Sequence, residues 1–355
     1  MRRPVRTSLP ASATRRANRQ NGAVSTIRAR PCRSRAFGII AGLALAAVAA
    51  FVLALMSGEL AISVRSAAGA LFEGDQSMEA QVVRHLRLPR AVAVFACGGL
   101  LATAGALMQV LLRNPLADPY VLGISGGAAV GALAAMLAGL ASFVVDAAAF
   151  GGALTAMLLV FGLAHGDGSW TQTRLLLTGV IVAAGCGAAI TLMLAIAPDT
   201  RVHSMLFWLM GDASGARRPW PALAILALGL VLILPFAREL NVLARGELTA
   251  RSLGVKVVRL RFLLYGLASL LTAVSVTLVG SVGFVGLIVP HLMRFVVGND
   301  QRVLLPAALL AGGTLLTLAD TAARTVIAPV QLPVGVLTAL IGVPVFLFLL
   351  SRHRR

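Results

Sequence analysis

Long uncharged apolar runs alternate along the chain with short polar, proline- or glycine-containing segments. The runs cover residues 36–58, 91–112, 119–145, 147–164, 175–198, 219–237, 262–293, 303–318 and 331–351. A helix needs about 20 such residues to cross a bilayer, and most runs reach or approach that length. Residues 262–293 would extend roughly 48 Å at about 1.5 Å per residue, too long for one crossing. Gly280, Gly283 and Gly286, followed by Pro290, predict a break there. The pattern therefore predicts ten membrane helices, the eighth and ninth short, with both termini on one side.

Composition agrees with this pattern. Of 355 residues, 58% are hydrophobic and 12% charged, with a mean hydropathy of +0.90. A soluble domain carries about 25% charged residues. The deficit excludes a soluble enzyme, a disordered protein and an ordinary nucleic-acid-binding domain. The three cysteines, Cys32, Cys97 and Cys186, make no disulfide framework.

The net charge of +18 is unevenly placed. With the termini inside, inner segments hold 23 Lys and Arg against 5 acids, and outer segments hold 8 of each. That is the asymmetry the positive-inside rule requires. Residues 1–35 carry ten of these arginines and no acid, which predicts a disordered cytoplasmic tail attracted to anionic lipid. Arg15 and Arg16 resemble a twin-arginine signal, but no cleavable apolar segment follows; an organellar transit peptide shares the composition. The transmembrane domain then occupies 36–355. Its one lysine, Lys256, lies in SLGVKV (252–257), so no Walker A loop can form. If transport is driven by ATP, hydrolysis belongs to another polypeptide.

Several segments carry candidate chemistry. RNPLADP (113–119) follows the second span; Pro115 and Pro119 break the helix and free polar backbone, either as a simple turn or as a gate at the inner mouth of a pathway. Gly123, Gly127 and Gly131 predict a flat face for close helix approach. Arg84, Arg87 and Arg90 precede the second span on the outer side, where arginines are disfavoured. Snorkelling explains any one of them. Arg87 and Arg90 flanking Leu-Pro, together with Arg324, suggest a docking surface for an acidic partner. In the inner loop 238–261, Leu243, Leu248 and Leu253 alternate with Ala244, Gly246, Ala250 and Gly254. This predicts two short helices joined at Gly246 that dock in a groove of a cytosolic protein. Gln109 is either helix–helix glue or pathway lining, and Met108 and Gln109 are assigned to the lining. His291 has no second ligand at metal spacing, Asp320 and Arg324 form an i,i+4 pair at a helix end, and Trp208 and Trp220 suit the membrane interface.

The strings RLPR (87–90), GALMQ (105–109), RNPLADP (113–119), WLMG (208–211), GFVGLIVPH (283–291), LPVG (332–335) and GVPVF (342–346) occur in order. From about Leu60 onward the chain resembles the FecCD-type permeases of ABC importers for iron–siderophore, haem and cobalamin. The resemblance implies an all-α, ten-helix permease of the large-substrate (type II) kind in the bacterial inner membrane. It also implies a homodimer with the pathway at the subunit interface, two cytosolic ATPase subunits and a periplasmic binding protein. Motif by motif, it implies docking arginines Arg87, Arg90 and Arg324, and an inner gate at Asn114, Pro115 and Leu116. The loop 166–171, with Gly168 and Ser169, would be the second gate strip, and Leu243, Ala244, Gly246, Ala250, Leu253 and Gly254 the ATPase coupling set. The chain departs from the pattern at Gln331, where the family often has Glu, and in its basic tail.

Two other classes compete. A secondary transporter would want an intramembrane carboxylate, and the 13 acids lie at span ends or in loops. A membrane-embedded enzyme would want a His/Asp/Glu constellation, which five scattered histidines do not supply. The expectation is a transport subunit with no catalytic residue, cofactor, metal or nucleic-acid partner of its own; which chelate it carries is not legible.

Overall fold

The structure, a computed structural model, describes residues 33–58, 60, 62–72, 76–164, 172–216 and 219–352. The tail up to residue 32 and the strip with Gly168 and Ser169 lie outside the described residues. The helices are α1 (Arg33–Met56), α2 (Val64–Phe72), α3 (Met78–Leu111), α4 (Ile124–Leu137), α5 (Ser142–Ala164), α6 (Gln172–Ile196) and α7 (Asp199–Met210). They continue as α8 (Trp220–Ile233), α9 (Ala237–Leu243), α10 (Glu247–Ser252), α11 (Val257–Val279), α12 (Val285–Val297), α13 (Gln301–Thr325) and α14 (Val334–Arg352). Among the described residues, seven helices are long and apolar enough to cross a membrane, and three shorter apolar ones accompany them. This is the all-α polytopic architecture that the apolar runs predict.

The differences have local causes. α3 starts well before the apolar run, because Arg84, His85 and Arg87 belong to a π-helical turn, Val83–Arg87. The wider turn admits Pro89, whose ring would clash with a regular helical carbonyl. The third run is not one helix. A 3-10 turn, Pro119–Leu122, ends at Gly123 with φ 74°, and Gly139 with φ 71° separates α4 from α5. No charge marks either boundary, so α4 is the short third span and α5 absorbs Asp146. The break after α11 falls at residues 280–284, as the glycines predict, but Gly286 and Pro290 lie inside α12. α13 is not short: at 25 residues it carries Asp320 and Arg324 inside the bundle, where they neutralise one another. Helix α7 has no counterpart among the predicted spans, and Trp208 belongs to it.

α3 is the axis of the bundle. Over its membrane window 94% of it is buried, and α8, α11, α12 and α13 pack around it. Glycine makes that crowding feasible. A Cβ at Gly105 would overlap the Gly286 carbonyl of α12, and one at Gly98 the Gly312 carbonyl of α13. Helices that meet backbone to backbone gain dispersion contacts, which replace the hydrophobic effect inside a membrane. α3 and α13 run antiparallel, since Gly98 meets Gly312 and Arg90 meets Asp320. One face of the bundle therefore holds Leu111, the start of α13 and the α9–α10 hairpin; the opposite face holds the arginines.

A paired substitution tests this packing. Gly105→Ala should lower the thermal midpoint in detergent by overpacking worth about 1–3 kcal/mol or more. Gly162→Ala on α5, where a Cβ meets no atom within 4 Å, should leave it unchanged or raise it slightly, since Ala is the better helix former by about 0.8–1 kcal/mol. Equal effects would remove the close-approach role of Gly105.

Candidate functional site

On the arginine face, three guanidinium groups converge near one carboxylate. Asp320 accepts a forked pair from Arg90, Nη2 at 2.9 Å and Nε at 3.1 Å, and the Nε of Arg324 lies 3.2 Å from its second oxygen. Arg90 Nη1 also donates to Gln331 Oε1 at 3.0 Å. Arg87 donates to the carbonyls of Leu55 (2.7 Å), Met56 (3.0 Å) and Leu60, and Arg324 reaches those of Ala54 and Ser57 at 3.4 Å. Two arginines thus cap the C-terminus of α1, where carbonyls lack helical partners. The three arginines expected to dock a partner are all engaged within the subunit. Arg87 is 7% exposed with its guanidinium on α1, so its role in the subunit is that of a cap. Arg90 and Arg324 remain nearer the rim, with one carboxylate shared between them.

On the opposite face, α3 ends in the turn that the prolines predict. Arg113 adopts φ 47°, Asn114 Oδ1 accepts the Leu116 N–H at 2.9 Å, and Asp118 caps the 3-10 turn through Tyr120 N–H at 2.8 Å. Asn114, Pro115 and Leu116 are exposed. Gln172, the first residue of α6, is clipped to this turn: its Nε2 donates to Leu111 O at 2.9 Å and its Oε1 accepts from Arg113 at 3.0 Å. The segment after the turn reaches across to the α11–α12 break. The Val282 N–H donates to the Tyr120 hydroxyl at 3.1 Å, and Ser125 and Ser281 hydroxyls lie 2.9 Å apart.

Met108 and Gln109, the expected lining residues, are enclosed within the subunit. Met108 is fully buried, and Gln109 is 3% exposed with its amide engaged by Leu287 O (3.1 Å) and the Arg294 guanidinium (3.1 and 3.2 Å). Through these bonds Gln109 braces α3 against α12. An open groove of about 530 Å³ lies elsewhere, where the end of α7, the α11–α12 break and α14 meet, lined by Met210, Ser281, Gly335, Ala339 and Pro344 among others. Asp212 N–H to Val279 O (2.8 Å) and Val334 N–H to Gly211 O (3.0 Å) tie these ends together.

The 238–261 loop forms the predicted helical pair. Gly246, at φ 133°, joins α9 to α10, and Gly254, at φ 78°, closes α10 with the Val255 N–H on Ala250 O. The pair divides the residues expected to couple to an ATPase. Leu243 and Ala250 are buried anchors, whereas Ala244, Leu253 (65%) and Gly254 are exposed, beside Leu248 at 85%. Among the described residues no three His, Cys, Asp or Glu side chains could share a metal ion.

With this geometry, the chain's relatives can be read against it. The sequence profile of the FecCD transport family matches residues 45–352. The chain belongs to that family. It is 45% identical over 274 residues to the cobalamin import system permease protein BtuC of Halobacterium salinarum, covering 76% of this chain and 73% of that one. It is 41% identical over 280 residues to the vitamin B12 import system permease protein BtuC of Escherichia coli, covering 77% and 84%. The fold matches a solved ABC transporter described as metal-chelate type, in an inward-facing conformation. That match has a TM-score of 0.77 and 31% identity, over 89% of this chain and 99% of that one. The protein is a multi-pass permease subunit of an ABC importer of the BtuC/FecCD kind.

Sequence reading of this FecCD permease missed three elements of the site. They are Gln172 as the clip on the 113–116 turn, Tyr120 and Ser125 on the helix break, and Glu247 in the hairpin. A tyrosine and a serine following RNPLADP were the available signal for the second. Glu247 meets Arg251 at 2.8 Å and Arg261 at 2.6 Å, tying α10 to α11. Partial burial raises the Glu247 pKa, but the hydrogen bonds and charges of the two arginines outweigh it and hold the carboxyl below its usual value. A depressed carboxyl stabilises the hairpin above its unfolded pKa of about 4.3, and the contribution is lost as pH falls through the lower folded value. At pH 7, Glu247→Gln should speed amide exchange in residues 247–256 about fivefold, corresponding to about 1 kcal/mol. The wild-type and Gln proteins should converge as pH falls through that lower folded value. Identical exchange at pH 7 would leave the two ion pairs without structural effect.

Proposed function

We propose that two copies of this chain form the membrane domain of a binding-protein-dependent importer in the bacterial inner membrane. It moves a bulky chelate, of the cobalamin, iron(III)–siderophore or haem class, into the cytoplasm by alternating access. The carrying observation is that α3 joins the cationic cluster at one end to the exposed 114–116 turn at the other, on the same face as the hairpin with its exposed leucines. The relatives named as cobalamin permeases support cobalamin as the first substrate to test.

Each part has its physical support. Residues 245–261 hold five cations and one carboxylate, which favours the hairpin face, and with it both termini, on the cytoplasmic side. There Leu248 and Leu253 offer an apolar surface for an ATPase subunit, one per copy. The Arg90–Asp320–Arg324 cluster, with Arg87 behind it, carries more positive than negative charge and suits acidic residues on the two lobes of a periplasmic binding protein. α6 is only 6% buried over its membrane window and exposes Gly185, Gly187 and Ala188, while α14 exposes Leu340, Ile341 and Leu347. Small residues on an uncovered membrane helix suit a close partner helix, which a second copy would supply. The groove beside α14 would then face the dimer axis and line the pathway. Asn114, Pro115 and Leu116 would narrow its inner mouth, with Gly168 and Ser169 on the neighbouring strip.

Reconstitution with the cognate ATPase and binding protein tests the scheme. Arg90→Gln should weaken binding-protein affinity about tenfold at low salt and less at high salt, since such charges are screened. Leu253→Glu should abolish substrate-stimulated ATP hydrolysis. Uptake driven by an ion gradient without the ATPase would reject the importer. The gate has its own test. Cysteine at position 114 in both copies should cross-link in at least one nucleotide state and block uptake; failure to cross-link in every state would exclude a constriction on the dimer axis.

A further inference from the structure

We infer that Asn241 is a positioning residue for coupling, and that with Asp300 it forms the joint by which the α9–α10 hairpin is carried on α13. The inference rests on the hairpin being the coupling element and adds how it is linked to the opposite face. Asn241, on α9, uses both halves of its amide. Its Nδ2 donates to Asp300 Oδ1 at 2.8 Å, and its Oδ1 accepts the Gln301 N–H at 2.9 Å. Asp300 is the N-cap of α13, accepting the Arg302 N–H at 3.1 Å, so the clamp grips the first turn of that helix. On the same short helix Leu240 and Leu243 are buried, which leaves α9 little freedom to rotate about the clamp.

α13 is suited to transmit movement. It is continuous from Gln301 to Thr325, through Pro306, about 37 Å long at 1.5 Å per residue. Its far end holds Asp320 and Arg324, the residues that a docked acidic partner would disturb. Along its middle it is pressed against α3 at Gly312 and Gly313, where a Cβ would meet the Gly98 carbonyl and the Phe95 ring. A helix confined sideways at that contact moves along or about its own axis, and its first turn takes the hairpin with it. The joint leaves hydrogen-bonding capacity unused. Gln301 is fully buried, yet neither its Oε1 nor its Nε2 has a protein partner, although buried amides are normally satisfied. A shift of α13 that brings a partner to this amide would offset the strain of leaving the present geometry.

The test uses the full complex in liposomes and compares basal with binding-protein-stimulated ATP hydrolysis. Asn241→Asp sets a second carboxylate against Asp300 and removes the donor. It should lower stimulated hydrolysis at least fivefold while basal hydrolysis and ATPase assembly stay within twofold of wild type. Asn241→Ala, which removes both bonds without adding charge, should show the same split. The exchange Asn241→Asp with Asp300→Asn restores a donor–acceptor pair with the partners swapped and should bring stimulation back to within twofold. A purely structural Asn241 would move basal and stimulated rates together, which would overturn the joint; so would full stimulation in Asn241→Asp and Asn241→Ala, or failure of the exchange to rescue. Leu253→Glu separates the two levels. If it uncouples while both Asn241 variants do not, the joint fails alone; if none of the three uncouples, the hairpin is not the coupling element.

Discussion

Backbone-to-backbone packing of α3 against α12 and α13 is the constraint on which the rest depends. Glycines at 98, 105, 286 and 312 let the three axes approach until carbonyls occupy the space a Cβ would need. In lipid no hydrophobic effect drives apolar helices together, so such contacts must supply the cohesion. Once α3 is locked between α12 and α13, both its ends have fixed neighbours. The arginines lie next to Asp320 at one end, and the 113–116 turn lies next to the first residue of α6 at the other.

Charge inside this frame is handled by proximity rather than by water. Arg90 and Arg324 share Asp320, and Arg87 turns to the open carbonyls at the end of α1. Each is a different solution to the same problem, the high cost of an unpaired charge away from solvent. The Arg294–Gln109–Leu287 brace does the same between α3 and α12 near the opposite face. A single carboxylate, Asp320, thus serves two cations of the cluster.

Uncovered surface completes the design. α6 and α14 leave apolar and small residues open, and the groove between α7, the helix break and α14 opens beside them. Tyr120 and Ser125 reach that break from the strap that begins at Asn114. One short segment therefore touches both the mouth of the proposed pathway and its wall.

Apolar run length, charge position and glycine clusters by themselves determined the membrane class, most helix positions, the break at 280–284 and the hairpin about Gly246. Those features follow from local physics: the length needed to span lipid, the cost of charge within it, and the freedom of glycine in turns. Motif strings carried the family. Side-chain direction was decided only by the tertiary structure. A helix that is apolar all round gives no periodic signal of which face is buried, so the run does not show that Met108 is fully enclosed or that Gln109 bonds to α12. α7 stayed hidden because its mixed sequence reads as a loop until Gly211, Gly280 and Gly335 bring three chain ends together. The pairings Arg90–Asp320, Tyr120–Val282 and Asn241–Gln301 join residues far apart in the chain. No local pattern specifies them; for the first two, the glycine contacts of α3 with α12 and α13 and of Gly286 with Pro119 set the partners side by side.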